Sequence, residues 1–330
     1  MSDENIQGKV NVPKSTRDLM CGFHSAVSTS PLRIASERLG DLPDWTLQPN
    51  PSWLRIVGGR AQFAAVPGEN VIEASSAGLA SVWLVSRAAL TLWNTYDKAV
   101  DRHFGVGDEV ASASATANVD FGPELSKTDF SQTIEYARAL MENDRCWAEG
   151  IAEPNPCAAL DEFDGRVGNL FLGAVAWIVL HEIGHKVHRD TNLVGAQTRT
   201  LEEVEADRFA TAHIFDSTSV PATHRTFRFM SVVVAIVWLG LMDTVLKLLP
   251  PEAQTHPPAY ERLWSMLETT SALDEPDSDK HTYAGVLIKA VFNPEDPGAA
   301  CTPQGLLGEA FELLVSGFRS SSMTPHQDSG

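Results

Sequence analysis

The chain has 330 residues, 43% hydrophobic and 21% charged, with 23 Gly and 19 Pro, a near-average globular composition that excludes a collagenous, fibrous or wholly disordered protein. Its 43 Asp and Glu against 25 Lys and Arg leave a formal net charge of −18, which repels phosphate backbones and anionic lipid, so no nucleic-acid partner is expected. Cys21, Cys146, Cys157 and Cys301 form no CxxC pair and are too few for a disulfide scaffold, and the first residues lack the apolar core of a secretory signal, so a cytoplasmic protein is expected.

Residues 1–50, rich in Pro, Ser and charge, read as an N-terminal arm, partly irregular, with any helix confined to about 16–40. The run WLRIVGGRAQFAAV, 53–66, sets Gly58-Gly59 between two short apolar segments and predicts a β-hairpin or small sheet. One or two buried helices are expected from Ile72 to about Phe104, a loop over 105–124, and an amphipathic helix between Asp129 and Ile151, ahead of Pro154 and Pro156. A long apolar helix from about Gly168 to Val187 follows, then a polar connector over 189–199 and a helix from Thr200 with Glu202 and Glu203 in its first turn.

The stretch 228–249, stopped by Pro250-Pro251, holds the most apolar run, Phe229–Met242. Its 14 residues fall short of the ~20 that a membrane span needs, and reaching that length would take in Asp243 and Lys247. A buried core helix is expected, without stable membrane insertion. A helix over Pro257–Thr270, a polar loop over 271–282, a last helix over 304–318 and a disordered tail over 319–330 complete the chain. The fold class is mainly α, with 51–318 as one domain.

Chemistry concentrates in FLGAVAWIVLHEIGHKVHRD. His181 and His185 are four residues apart, so on a helix both imidazoles leave the same face one turn apart, with Glu182 beside the first. Two neutral imidazoles at that spacing can hold Zn²⁺ at ~2.0–2.1 Å, and the neighbouring carboxylate can polarise a metal-bound water. Two core histidines with ordinary hydrogen bonds are the competing reading, but two imidazoles and a carboxylate in an otherwise uncharged helix are costly without a partner.

A catalytic zinc wants a third protein ligand and an open position. Glu203 lies 18 positions beyond His185, enough for a turn and a returning helix, and shares a helix face with Asp207. Glu203 could complete the set, and Asp207 could accept a hydrogen bond from a ligating imidazole. Acidic residues also favour a helix N-terminus, so Glu202, Glu205 and the nearby His188 stay as alternative ligands.

HEIGH followed by Glu203-Val-Glu-Ala-Asp207 resembles the gluzincin metallopeptidases with the pattern HExxH…ExxAD, as in the CAAX prenyl protease and HtpX families. Residues 255–263, THPPAYERL, are similar to the His-Pro…Glu-Arg-Leu motif that follows in those families. The chain lacks their several membrane spans. In length, and in its apolar helix between the second and third motifs, it resembles the soluble Lit-type phage-exclusion peptidases.

The resemblance implies a zincin-like helical core, Zn²⁺ held by His181, His185 and Glu203, and Glu182 as general base. It also implies that Asp207 orients a ligand, that His256 approaches the oxyanion and that Arg262 braces the site through a carboxylate. The implied activity is endoproteolysis of a protein or peptide substrate in bacterial phage defence, with an activating peptide or regulator as a further partner. A non-catalytic, metal-stabilised peptide-binding or sensor protein is the alternative, and it would need the ligands but no Glu182. No phosphate loop or serine nucleophile elbow is present.

Overall fold

The computed structural model describes residues 14–48, 52–104, 119–188, 196–215, 222–245, 257–271, 278–295, 308–310 and 312–313. The first of these segments carries α1 (Thr16–Cys21) and α2 (His24–Ile34), followed by two single 3₁₀ turns at Leu39–Asp41 and Asp44–Thr46. The Ser15 side chain accepts the Asp18 N–H and starts α1. Met20, Phe23 and Val27 are buried in the common core, so this stretch is part of the packed domain rather than an arm beside it. About one apolar residue per turn docks it, too sparse a pattern to register as periodicity.

Three short strands follow: β1 (Leu54–Val57), β2 (Phe63–Ala65) and β3 (Ile72–Ser75). Their order is β1-β3-β2, with β1 parallel and β2 antiparallel to β3. Gly58-Gly59 therefore does not close the expected hairpin between β1 and β2, because β3 lies between them. The tight connection is the one from β2 to β3, where the Val66 N–H donates to the Val71 carbonyl at 2.9 Å. Alternation marks a strand but not its partner, and the burial of Leu54 and Ile56 around exposed Arg55 is the only part legible locally.

The expected helical stretch from Ile72 is strand for its first four residues, and α3 (Ser76–Phe104) then starts without a break. Ser75 sits at the junction, its hydroxyl accepting the N–H of Gly78 and of Gln62, both at 2.9 Å. After α4 (Gly122–Leu125), α5 (Phe130–Glu142) ends well short of Ile151. Extended backbone at Asn143 turns the chain back, so that Cys146 bridges to Ser15 and the Trp147 N–H donates to the Lys14 carbonyl.

α6 (Phe163–His188) is apolar on every side and is packed on nearly every side, against α2, α3 and β2 and against two later helices, α7 (Ala196–Phe215) and α8 (Ala222–Val245). α8 buries Val232–Trp238 and Leu241 in the same core. α6 and His224–Val245 of α8 are long and apolar enough to cross a membrane, and 78% and 61% of those windows are buried inside the fold.

α9 (Ala259–Ser271) begins two residues after Pro257, and α10 (Ser278–Phe292) completes the described helices. α10 starts inside the segment expected as a polar loop over 271–282, because its first turn, Ser278–Lys280, is as polar as a loop and its buried part, Ala284–Val291, comes only afterwards. Of the last expected helix, 308–310 and 312–313 are described and are helical. The expectations for 105–118, 189–195, Pro250-Pro251, His256, Cys301 and 319–330 lie outside the described residues.

Candidate metal centre

His181 and His185 leave the buried face of α6 with their Nε2 atoms 3.0 Å apart and their rings edge-on at 86°. Between them in sequence is Gly184, where α7 crosses. A Cβ added to Gly184 would lie 3.0 Å from Ala206 Cα and 3.3 Å from Phe209 Cβ, so the two helices meet almost backbone to backbone. That approach brings Glu203 and Asp207, one turn apart on α7, onto the two imidazoles.

Glu203 Oε1 lies 3.1 Å from His185 Nε2, and its Oε2 lies 3.3 Å from His181 Nε2. Asp207 Oδ1 is 2.8 Å from His181 Nδ1. Arg262, on α9, donates from Nη1 to Asp207 Oδ1 at 2.9 Å, from Nη2 to Glu203 Oε2 at 3.0 Å and from Nε to the Pro257 carbonyl at 3.2 Å. Its fork thus straddles two carboxylates instead of gripping Asp207 alone. All five side chains are under a tenth exposed.

Burial pushes the His181 imidazole down, but the close Asp207 and Glu203 carboxylates outweigh this and raise its pKa to about 9. Burial also opposes the charge on Arg262, and Asp207, Glu203 and Asp243 together hold it above its ordinary value. Two buried carboxylates face one guanidinium, an excess of negative charge that a cation held among the donors would neutralise.

The three inward-facing donors, His181 Nε2, His185 Nε2 and Glu203, are separated by 3.0, 3.1 and 3.3 Å. Ligands of a tetrahedral zinc at ~2.0–2.1 Å sit about 3.3 Å from one another. The spacing and the N₂O donor set both fit that ion. Glu182 also has an oxygen within 4.8 Å of the two imidazoles, but its Oε2 accepts the Ala65 N–H at 2.8 Å, whereas both Glu203 oxygens face imidazole nitrogens.

The alternatives diverge from this cluster. Glu205 is exposed and pairs with Arg208, Glu202 is only partly buried, and His188 lies edge-on against Phe209 at 6.0 Å. Glu182 lines a cavity of about 210 Å³ whose walls include Phe63, Trp177, Trp238, Met242 and Arg262.

Four contributors went unread in the sequence. Gly184 is visible inside HEIGH, and its smallness was the available signal. Trp177 stacks on His181 at 6.0 Å and donates to Thr211 Oγ1 at 3.2 Å. Lys186, one turn after Glu182, donates to the Val66 carbonyl at 2.9 Å and to that of Glu69, holding the end of β2 against α6. Ala65 contributes a backbone N–H, which leaves no mark in a sequence.

The family described as Peptidase U49 matches residues 72–284. The chain is 26% identical over 269 residues to the "Cell death peptidase" of Escherichia coli (strain K12), covering 76% of this chain and 81% of that protein. No solved structure matches the chain significantly.

Proposed function

This chain belongs to the Peptidase U49 family, and we propose that it is a zinc-dependent endopeptidase with Glu182 as general base. The observation that carries the reading is the triangle of His181, His185 and Glu203 donors, closed to 3.0–3.3 Å, beside a carboxylate that is not one of its corners. Zinc held there would supply Lewis acidity, lowering the pKa of the attacking water and polarising the scissile carbonyl.

The chain's own groups do the rest. Asp207 Oδ1 lies 2.8 Å from Nδ1 of His181 and favours a proton there, which would leave the Nε2 lone pair of that ring for a metal. Arg262 bridges Glu203 and Asp207 and holds the two carboxylates in register. The Ala65 N–H holds Glu182 by Oε2 and leaves Oε1 to accept a proton from the attacking water and pass it to the leaving amine. The largely apolar cavity beside Glu182 would seat a substrate side chain and exclude bulk water. His256 is proposed as the oxyanion partner on the motif resemblance.

The E. coli relative, a cell death peptidase, supports a role in cell death, and we extend this to bacterial phage defence, with an activating peptide or regulator controlling the enzyme. A cytoplasmic setting fits the same reading, since Cys21, Cys146 and Cys157 are exposed and free. The test is metal analysis together with Glu182→Gln. The purified chain should hold about one zinc, and the variant should keep the metal and the fold while cleavage of a verified substrate falls by ~10²-fold or more. Cleavage by Glu182→Gln at the parental rate would refute the mechanism.

A further inference from the structure

A second cavity, of about 580 Å³, lies between α2, α6 and α8. Asn169 on its wall is twelve residues before His181 on α6, about 18 Å along the helix axis from the metal cluster. Gly173 and Ser231 both line it, and a Cβ at Gly173 would lie 2.4 Å from Ser231 Oγ, so α6 and α8 are in close contact at this wall.

The polar lining is unusual for this protein. In a chain of net charge −18, the described residues that line this cavity include Arg33, His224 and Arg228 and no carboxylate. Arg228 is half-buried, with one guanidinium nitrogen, Nη1, fixed on the Ile214 carbonyl at 2.6 Å. Among the described residues it makes no ion pair: burial pulls its pKa down, and Glu37 acts on it only through longer-range attraction. Arg33, Asn169 and His224 have no hydrogen bond or ion pair from their side chains among the described residues. Ser30 and Ser231 spend their hydroxyl protons on the Val27 and Phe227 carbonyls.

A half-buried guanidinium held short of a counter-ion is an unfavourable arrangement unless something anionic completes it. The donors left over are a second guanidinium, an imidazole and a carboxamide, a cationic and donor-rich lining whose chemistry suits a doubly charged phosphate better than a singly charged carboxylate. The volume exceeds what an inorganic ion fills and falls in the range of small-molecule sites. Ile34, Leu172 and Phe227 supply apolar surface for the remainder of such a molecule.

We propose that this cavity binds a small organic phosphate monoester, its phosphate on Arg33 and Arg228 and its apolar body against Phe227 and Leu172. The site is separate from the metal centre and independent of the peptidase mechanism.

The test is thermal unfolding of the full chain at fixed ionic strength, titrated with phenyl phosphate, inorganic phosphate or chloride. Phenyl phosphate should raise Tm saturably at a concentration at least about tenfold below that needed for inorganic phosphate, and chloride should have no effect. Arg33 is exposed and, among the described residues, makes no side-chain hydrogen bond or ion pair, so Arg33→Gln should leave the Tm of the unliganded protein unchanged while raising the phenyl phosphate requirement about tenfold or more. Arg17→Gln, an exposed arginine outside the cavity lining, should respond as the parent does. No saturable rise, or an undiminished response in Arg33→Gln, overturns the site. Equal potency of the two phosphates overturns the organic ester.

Discussion

Glu203 and Glu205 are two residues apart on α7, and burial separates them completely: one faces two imidazoles, the other faces solvent and Arg208. Glu203→Ala should therefore strip zinc from the purified protein, whereas Glu205→Ala should leave the zinc content at the parental value; inductively coupled plasma measurement on dialysed samples reads both. Stoichiometric zinc in Glu203→Ala would move the third ligand elsewhere. His181 carries a second expectation. In chelator-stripped protein its pKa is raised from about 6.5 in the unfolded chain to about 9 in the fold. Its attraction to the Asp207 and Glu203 carboxylates thus stabilises the apoprotein fully below about pH 6.5, and that contribution fades as pH rises through 9. The urea midpoint of the apoprotein should fall between pH 7 and pH 10, and this particular fall should vanish in His181→Ala. Zinc needs the neutral ring, so loading at neutral pH should release protons.

At the scale of elements, the site depends on two helices meeting at Gly184. Ala206 Cα is 3.0 Å from where a side chain would begin, closer than ordinary carbon contact, and the obstacle is backbone on a long helix that cannot move alone. Gly184→Ala should push α7 outward by a few tenths of an ångström or more, cost the fold roughly 1–3 kcal/mol, and weaken zinc affinity although no ligand is changed. Denaturant unfolding and zinc titration with a competing chelator read the two effects. An unchanged zinc affinity in a folded Gly184→Ala protein would mean that helix contact does not set the ligand spacing. The second element contact is between β2 and α6, where Ala65 and Val66 engage Glu182 and Lys186 from the sheet side. A strand of three residues could not persist in water alone; here it is held by β3 on one edge and by α6 on the other.

For the whole molecule, the decisive packing is that of α6 and α8, the two helices whose length and apolarity would also suit a membrane. Their apolar surface is largely spent on each other, on α3 and on α2. The untagged chain should accordingly be recovered in the high-speed supernatant after lysis without detergent; recovery only from detergent-extracted membranes would contradict this.

The shared faces of His181 with His185 and of Glu203 with Asp207 were legible from spacing, because i, i+4 geometry on a helix is a local property that survives any tertiary arrangement, whereas Arg262 came only from the motif resemblance. The helices α6 and α8 were legible for a similar reason, since runs that are apolar on every side have nowhere to go but a core. What spacing could not supply was partnership. The strand beside β1 proved to be β3 rather than β2, because alternation is the same whichever neighbour completes the ladder. α10 was hidden by a polar first turn, and α1 and α2 by an apolar pattern too thin to read. Arg262 was expected on one carboxylate and spans two, a choice set by how α9 lies across α7. Local chemistry is written in the order of residues along the chain, but the close approach at Gly184, the Ala65 N–H on Glu182 and the meeting of Arg33 and Arg228 at one cavity exist only between segments far apart in sequence, where packing decides which groups meet.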